Sequence, residues 1–139
     1  MQISARNQIN VTIKEIEVGA VNSVVLAQTV NGMKLSASIT NSSAVNMGLK
    51  VGDNVIFFFK ASNVLIATDD APTISARNKL SGTVKEIKTG AVNSEVIMNI
   101  GHNDEIISVI TNDAVVDLKL KNGDNTVAII KASEVMVAK

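Results

Sequence analysis

Between Asn10 and Ile16 the chain reads Asn-Val-Thr-Ile-Lys-Glu-Ile, apolar residues recurring among polar ones with the β-branched bias of a strand. Ser23–Val30, Lys34–Ile39, Asn54–Lys60 and Val64–Thr68 carry the same texture, so five strands are predicted in the first half. Asn31-Gly32, between the second and third, is a two-residue hairpin signal because both residue types tolerate left-handed backbone angles. The pattern then changes over Thr40-Asn41-Ser42-Ser43-Ala44-Val45-Asn46-Met47-Gly48. There Thr40 or Asn41 can cap a short helix, and Gly48 can end it. Five short strands with one helical turn between the third and fourth predict an all-β fold, a five-stranded OB-like barrel of the oligonucleotide/oligosaccharide-binding type.

The same series recurs as Thr83–Ile87, Ser94–Ile100, Glu105–Ile110, Thr126–Lys131 and Val135–Ala138. A helical segment at Thr111–Lys119 keeps the threonine cap but has Lys119 where Gly48 stood. The recurrence is literal. Ile3–Asn7 returns as Ile74–Asn78, and 29 of the 66 positions in 3–68 are identical to those 71 residues later, too many for convergence of strand pattern alone. The chain therefore divides into a module at 1–68, a linker at 69–73 and a second module at 74–139. A module of this length buries only about 60% of its unfolded surface and is marginal alone. The linker, with Pro72 as the single proline, is too short to separate the modules far, so they are expected to pack on each other or on further chains.

Charge and composition remove whole classes of function. Thirteen cationic and thirteen anionic side chains balance to zero, leaving no long-range field to gather DNA or an anionic membrane. Single-strand binding by a barrel of this type stacks bases on aromatics, but the three phenylalanines form one run, Phe57–Phe59, that reads as buried strand. No apolar stretch approaches the roughly 18 residues that span a bilayer, and no signal peptide is evident, which makes the cytoplasm the default expectation. There is no cysteine, and the single histidine, His102, falls in a predicted hairpin turn at the position of Asn31. Catalysis has no evident acid, base or nucleophile, so no enzyme activity and no cofactor are expected. Ligands for a metal cation are likewise not clustered.

What the two copies share is mostly polar, small or cationic. Ser4-Ala5-Arg6-Asn7 and Ser75-Ala76-Arg77-Asn78 contain the only two arginines. Lys60-Ala61-Ser62 and Lys131-Ala132-Ser133 add an ammonium and a hydroxyl where strand four turns toward strand five. Thr40 and Ser43 place hydroxyls at a helix start; in the second copy Thr111 is kept, and Ala114 replaces the second hydroxyl. Core positions have meanwhile drifted, Phe57, Phe58 and Phe59 becoming Ala128, Ile129 and Ile130. None of the residues kept identical between the copies in these segments is a carboxylate. Donors without an acceptor suit a fully deprotonated oxyanion such as molybdate, tungstate or sulfate, whereas phosphate at neutral pH keeps a proton that wants an acceptor. Gly19-Ala20-Val21-Asn22 and Gly90-Ala91-Val92-Asn93 admit two readings. They are either turns, with glycine at a positive φ and asparagine bonding its own backbone, or part of a ligand site.

The Ser-Ala-Arg-Asn opening, the Gly-Ala-Val-Asn-Ser turn and the Lys-Ala-Ser stretch, in this order and each present twice, resemble the molybdate-binding Mop family in its two-module storage form, with TOBE/Mop-type OB-like barrels. The resemblance spans nearly the whole chain. It implies molybdate or tungstate as ligand, storage or buffering in the cytoplasm, and a homotrimer of double modules with sites between modules. A sensing module acting in trans on a regulator or importer is the alternative it allows. Carried over motif by motif, one class of site would use Ser4, Arg6, Lys60 and Ser62, and Ser75, Arg77, Lys131 and Ser133, with the adjoining Ala5, Asn7, Ala61, Ala76, Asn78 and Ala132. Thr40, Ser43 and Thr111 match helix-entry donors of the same class. A second class, near threefold axes, would draw on residues 19–22 and 90–93. Beside it the copies differ, Val24 standing where the second has Glu95.

Overall fold

The computed structural model describes residues 2–68 and 73–139, so of the expected linker 69–73 only Thr73 lies among the described residues. The first repeat forms β1 (Asn7–Val18), β2 (Asn22–Gln28), β3 (Lys34–Thr40), β4 (Asn54–Phe59) and β5 (Leu65–Thr68). The second forms β6 (Asn78–Thr89), β7 (Asn93–Gly101), β8 (Asp104–Thr111), β9 (Asn125–Ile130) and β10 (Met136–Ala138). Short helices α1 (Asn41–Asn46) and α2 (Asn112–Asp117) follow β3 and β8, and 3-10 turns at Ala61–Asn63 and Ala132–Glu134 follow β4 and β9. The expected order of elements holds. The first strand of each repeat starts earlier than its local pattern shows, because Asn7 through Thr12 pair with β4 from Phe59 to Asn54. Past a bulge between Ile13 and Glu15 the same strand pairs with β2, and β6 repeats this with a bulge between Val84 and Glu86. One extra residue there bends the strand, so that it serves two halves of a barrel. Among the described residues no helix is long and apolar enough to cross a membrane.

Neither sheet is built from one repeat. The first runs β10-β4-β1-β2-β3 and the second β5-β9-β6-β7-β8. The sequence reading assigned all five strands of a barrel to one repeat; at the fifth strand that is corrected, since β10 pairs with β4 and β5 with β9. Two repeats with nearly the same strand edges offer the fifth strand equivalent partners, and a local hydrophobic pattern does not distinguish them. The exchange is reinforced by the two repeated asparagines. Asn7, 1% exposed, donates from Nδ2 to Ile107 O (2.8 Å) and accepts at Oδ1 from Ile107 N (2.7 Å). Asn78 does the same with Ser36 O (2.8 Å) and Ser36 N (2.7 Å). Each carboxamide thus acts as a one-residue strand on β8 or β3 of the other repeat.

The barrel interiors follow from alternation: Asn7, Ile9, Val11 and Ile13 of β1 are buried while their neighbours face outward. Phe57 and Phe59 are fully buried, as their run predicted, and the apolar core is one cluster drawing on both repeats. The hairpins differ from expectation. In the first, Gly32 N donates to Thr29 O, Thr29 N donates to Met33 O, and only Gly32 has a positive φ (+86°). Asn31-Gly32 is therefore not a two-residue loop but the end of a three-residue one. The two-residue type occurs instead at His102 and Asn103, with φ of 50° and 62°. Thr40 and Thr111 cap α1 and α2, accepting from Ser43 N and Ala114 N (3.1 Å each). Lys119 adopts the left-handed conformation (φ 52°) that Gly48 takes without strain (φ 60°).

Removing either asparagine strands two backbone groups of the opposite repeat. Asn7→Ala and Asn78→Ala are each expected to cost about 2–3 kcal/mol of unfolding free energy. Denaturant melts should show a single transition moved for the whole chain, not a new transition for one repeat.

Candidate functional site

The repeated donors converge in two open clefts, one per repeat. Ser4, Ala5, Arg6, Lys60, Ala61 and Ser62 line the first, a volume of about 480 Å³ whose apolar side includes Phe58 and, through the strand exchange, Met136. Ser75, Ala76, Arg77, Lys131, Ala132 and Ser133 line the second, of about 580 Å³, together with Ser62, Asn63 and Glu134. Local sequence explains the arrangement. The chain enters β1 from one side of the cleft, and Lys60 begins the 3-10 turn on the other with its backbone extended at φ −75°. Burial of Ala61 and Ala132 in those turns aims Lys60, Ser62, Lys131 and Ser133 outward. The repeated serines, arginines and lysines of both clefts are exposed, with Asn63 and Glu134 half-buried, so an anion resting there alone would remain wet on one side.

Two of the candidate residues are committed elsewhere. The carboxamides of Asn7 and Asn78 are buried and bonded to the opposite repeat's backbone, and neither residue lines a cleft. Thr40, Ser43 and Thr111, grouped by motif with this class, line neither cleft. Thr40 instead pairs with Asn22 across β2 and β3, next to the Gly19–Asn22 turn, and its hydroxyl donates to Ser43 Oγ (2.9 Å). Asn41 N donates to Val21 O (2.8 Å), and Asn41 Nδ2 to Gly19 O (2.9 Å). Asn112 repeats both contacts with Val92 and Gly90. Within one chain the helix-entry hydroxyls therefore share a surface with the residues of the second class. Gly19 and Gly90 do not have the positive φ that the turn reading expected. Each is glycine because its N–H donates to the carbonyl of Asn22 or Asn93 at 2.9 Å, and a Cβ would meet that oxygen at 2.7 Å.

Carboxylates also meet these donors, which corrects the picture of donors alone: Glu134 lines the second cleft, and Glu95, outside the lining of the first, bonds its arginine. Arg6 Nη1 donates to Glu95 Oε1 at 2.7 Å and Nη2 to Oε2 at 3.3 Å, a two-pronged pair across the repeats. Hydrogen bonding to Arg6 holds the Glu95 carboxyl below its usual range against the opposing effect of desolvation, with Lys88 adding to the lowering; the same bond raises the Arg6 guanidinium. At the place of Glu95 the first repeat has Val24, and Arg77 makes no ion pair among the described residues. In the second cleft Glu134 accepts from Asn63 Nδ2 at 3.1 Å. The sequence signal for Glu95 was its mismatch with Val24. Its partner lies 89 residues away and came only with the fold.

Residues 3–66 and 74–137 each match the family described as TOBE domain. The chain belongs to the TOBE-domain family. Its two TOBE repeats are 39% identical over 139 residues to the molybdenum-pterin-binding protein MopA of Rhodobacter capsulatus. They are 36% identical over 139 residues to the molybdenum transport protein ModE of Herbaspirillum seropedicae. Both alignments cover 99% of this chain and 52% of the relative, so the chain spans about half the length of these relatives. Molybdenum-pterin-binding protein 3 of Clostridium pasteurianum corresponds to a single TOBE repeat, 42% identical over 65 residues that make up 47% of this chain and 96% of that protein. Among solved structures, a cytoplasmic molybdate-binding protein, ModG, with molybdate bound, is similar over 99% of both chains, at 44% identity and a TM-score of 0.96. The tandem OB-like TOBE architecture read from the sequence is thereby established.

The Arg6–Glu95 pair gives a signed pH dependence. A carboxyl lowered on folding contributes stability that is fully present above its unfolded value, about 4.3. That contribution is lost as pH falls through the lower folded value. The stability advantage of the parent over Glu95→Gln should be constant above about pH 5 and vanish on further acidification. Urea midpoints of both proteins measured from pH 3 to pH 7 test this.

Proposed function

We propose that this chain binds molybdate, and its isostere tungstate, and stores or buffers the oxyanion in the cytoplasm without catalysing a reaction. The observation that carries the reading is the convergence of the repeat-invariant Ser, Arg and Lys side chains into two clefts of a TOBE scaffold that matches a molybdate-bound one over its full length. Molybdate is a proton-free dianion. It is best held by a guanidinium, an ammonium and several hydroxyl or backbone donors, because charge-assisted hydrogen bonds are the strong ones.

The assembly follows from what a single chain leaves open. Taking a dianion out of water requires donors on all sides, since an uncompensated buried charge costs several kcal/mol. Each cleft is covered on one side only, and the Thr40/Ser43 and Thr111 donors lie on other surfaces. Those surfaces expose apolar side chains, Val21, Val45, Val92 and Val116 all being 70–77% exposed. A homotrimer of double modules, in which copies bring helix-entry donors and the 19–22 and 90–93 turns against one another and against the clefts, accounts for both features. A second reading, a molybdate-sensing module acting in trans, is favoured by the match to half of a ModE protein.

Calorimetric titration with molybdate, tungstate, sulfate and phosphate, alongside particle mass by light scattering, tests the function and the assembly. Molybdate and tungstate should bind a trimer. Absence of molybdate binding rejects the function, and a monomer that binds fully rejects shared sites. Lys60→Ala and Lys131→Ala should each weaken a subset of sites about tenfold to a hundredfold, the worth of one charge-assisted hydrogen bond. Lys34→Ala, on a hairpin where the second repeat has Glu105, should change little.

A further inference from the structure

The two clefts are built from the same repeated segments, yet only one of them has its arginine occupied. Arg6 spends both terminal nitrogens on Glu95, at 2.7 and 3.3 Å, while Arg77 faces a repeat with Val24 in that place. The guanidinium fork that would grip an oxyanion in the Arg6 cleft is therefore already held by a carboxylate of the other repeat. The Arg77 cleft has a carboxylate too, but Glu134 accepts from Asn63 and makes no ion pair with Arg77 or Lys131. Contact with the gripping group is what separates the two cases.

Resting on the oxyanion-binding reading above, we propose that Glu95 is an affinity-setting residue. It competes with the oxyanion for Arg6, so the Arg77 cleft fills first and the Arg6 cleft fills only at higher ligand concentration. Part of the competition is displacement. The Arg6 and Glu95 side chains are 48% and 29% exposed, and a pair as open as this holds weakly and can be opened. The larger part is repulsion. A dianion bound by Arg6 would lie about 5 Å from the displaced carboxylate, and in water-like surroundings that repulsion weakens binding on the order of tenfold. Lys88, opposite Glu95 on β6, takes up some of this charge without removing it. The effect is electrostatic and local, so it should be transferable between repeats by exchanging one side chain for the other.

The test uses the full chain and its natural asymmetry. Titration with molybdate should resolve a tighter and a weaker class of cleft site. Tungsten anomalous scattering from crystals grown at substoichiometric tungstate should place the first anions at Arg77. Glu95→Val should strengthen the weaker class about tenfold and leave the tighter one in place. Glu95→Gln, which keeps a hydrogen-bond partner for Arg6 and removes the charge, should give much of the same gain and covers the case in which valine perturbs folding. Val24→Glu should weaken the Arg77 cleft by a similar factor, and the double exchange should invert the order of filling. Preferential tungstate at Arg6 in the parent, or unchanged affinities in both Glu95 variants, overturns the proposal. Equal filling with binding intact overturns the proposal alone, whereas no tungstate in either cleft overturns the binding reading beneath it.

Discussion

Exchange of the fifth strand is the constraint on which the rest of this molecule depends. With β10 on β4 and β5 on β9, each sheet lacks an edge until the other repeat supplies it. An isolated unit of this size sits near the limit of what a single core can hold together. Joining two into one continuous apolar cluster raises the buried fraction and makes the repeats fold as one. The crossing strands also shape the first cleft. Phe58 and Met136 pack as partners across the exchange, and the same two side chains wall the cleft that Ser4, Arg6 and Lys60 enter.

The amide brackets of Asn7 and Asn78 belong to the same design. They appear in sequence as the fourth residue of a motif whose other members face a cleft, and proximity suggested a shared task. One position further along a strand is enough to reverse the side chain's direction, so Arg6 points to solvent while Asn7 is buried. A motif conserved between copies can thus combine a cleft-lining part and a framing part, and the two resist change for unrelated reasons.

Much of this was legible in the chain. Strand number and order, the Thr40 and Thr111 caps and the buried Phe57–Phe59 run follow from local pattern, because alternation, capping and turn chemistry act over a few residues. The pairing of the Ser-Ala-Arg and Lys-Ala-Ser segments was legible only through the repeat and the resemblance, and the fold places them together. Three things were not legible. The swap of β5 and β10 is a choice between nearly identical partners. The hairpin loops depend on a single residue's φ, which moved the two-residue turn from Asn31-Gly32 to His102-Asn103. The Arg6–Glu95 contact joins residues 89 apart, and no spacing rule reaches that far.

A protein with one repeat can satisfy the same exchanged strands only by pairing two chains, which ties its architecture to concentration. Placing both repeats in one chain converts that encounter into an intramolecular one, at an effective concentration on the order of millimolar for a short connection. The covalent link does something else that no increase in concentration could. Two identical chains are bound by symmetry to carry the same residue at both equivalent positions, so a valine on one side imposes a valine on the other. A tandem chain is free of that obligation. Val24 and Glu95 occupy equivalent places, one neutral and one charged, and duplication within one chain is what allowed the two halves to diverge.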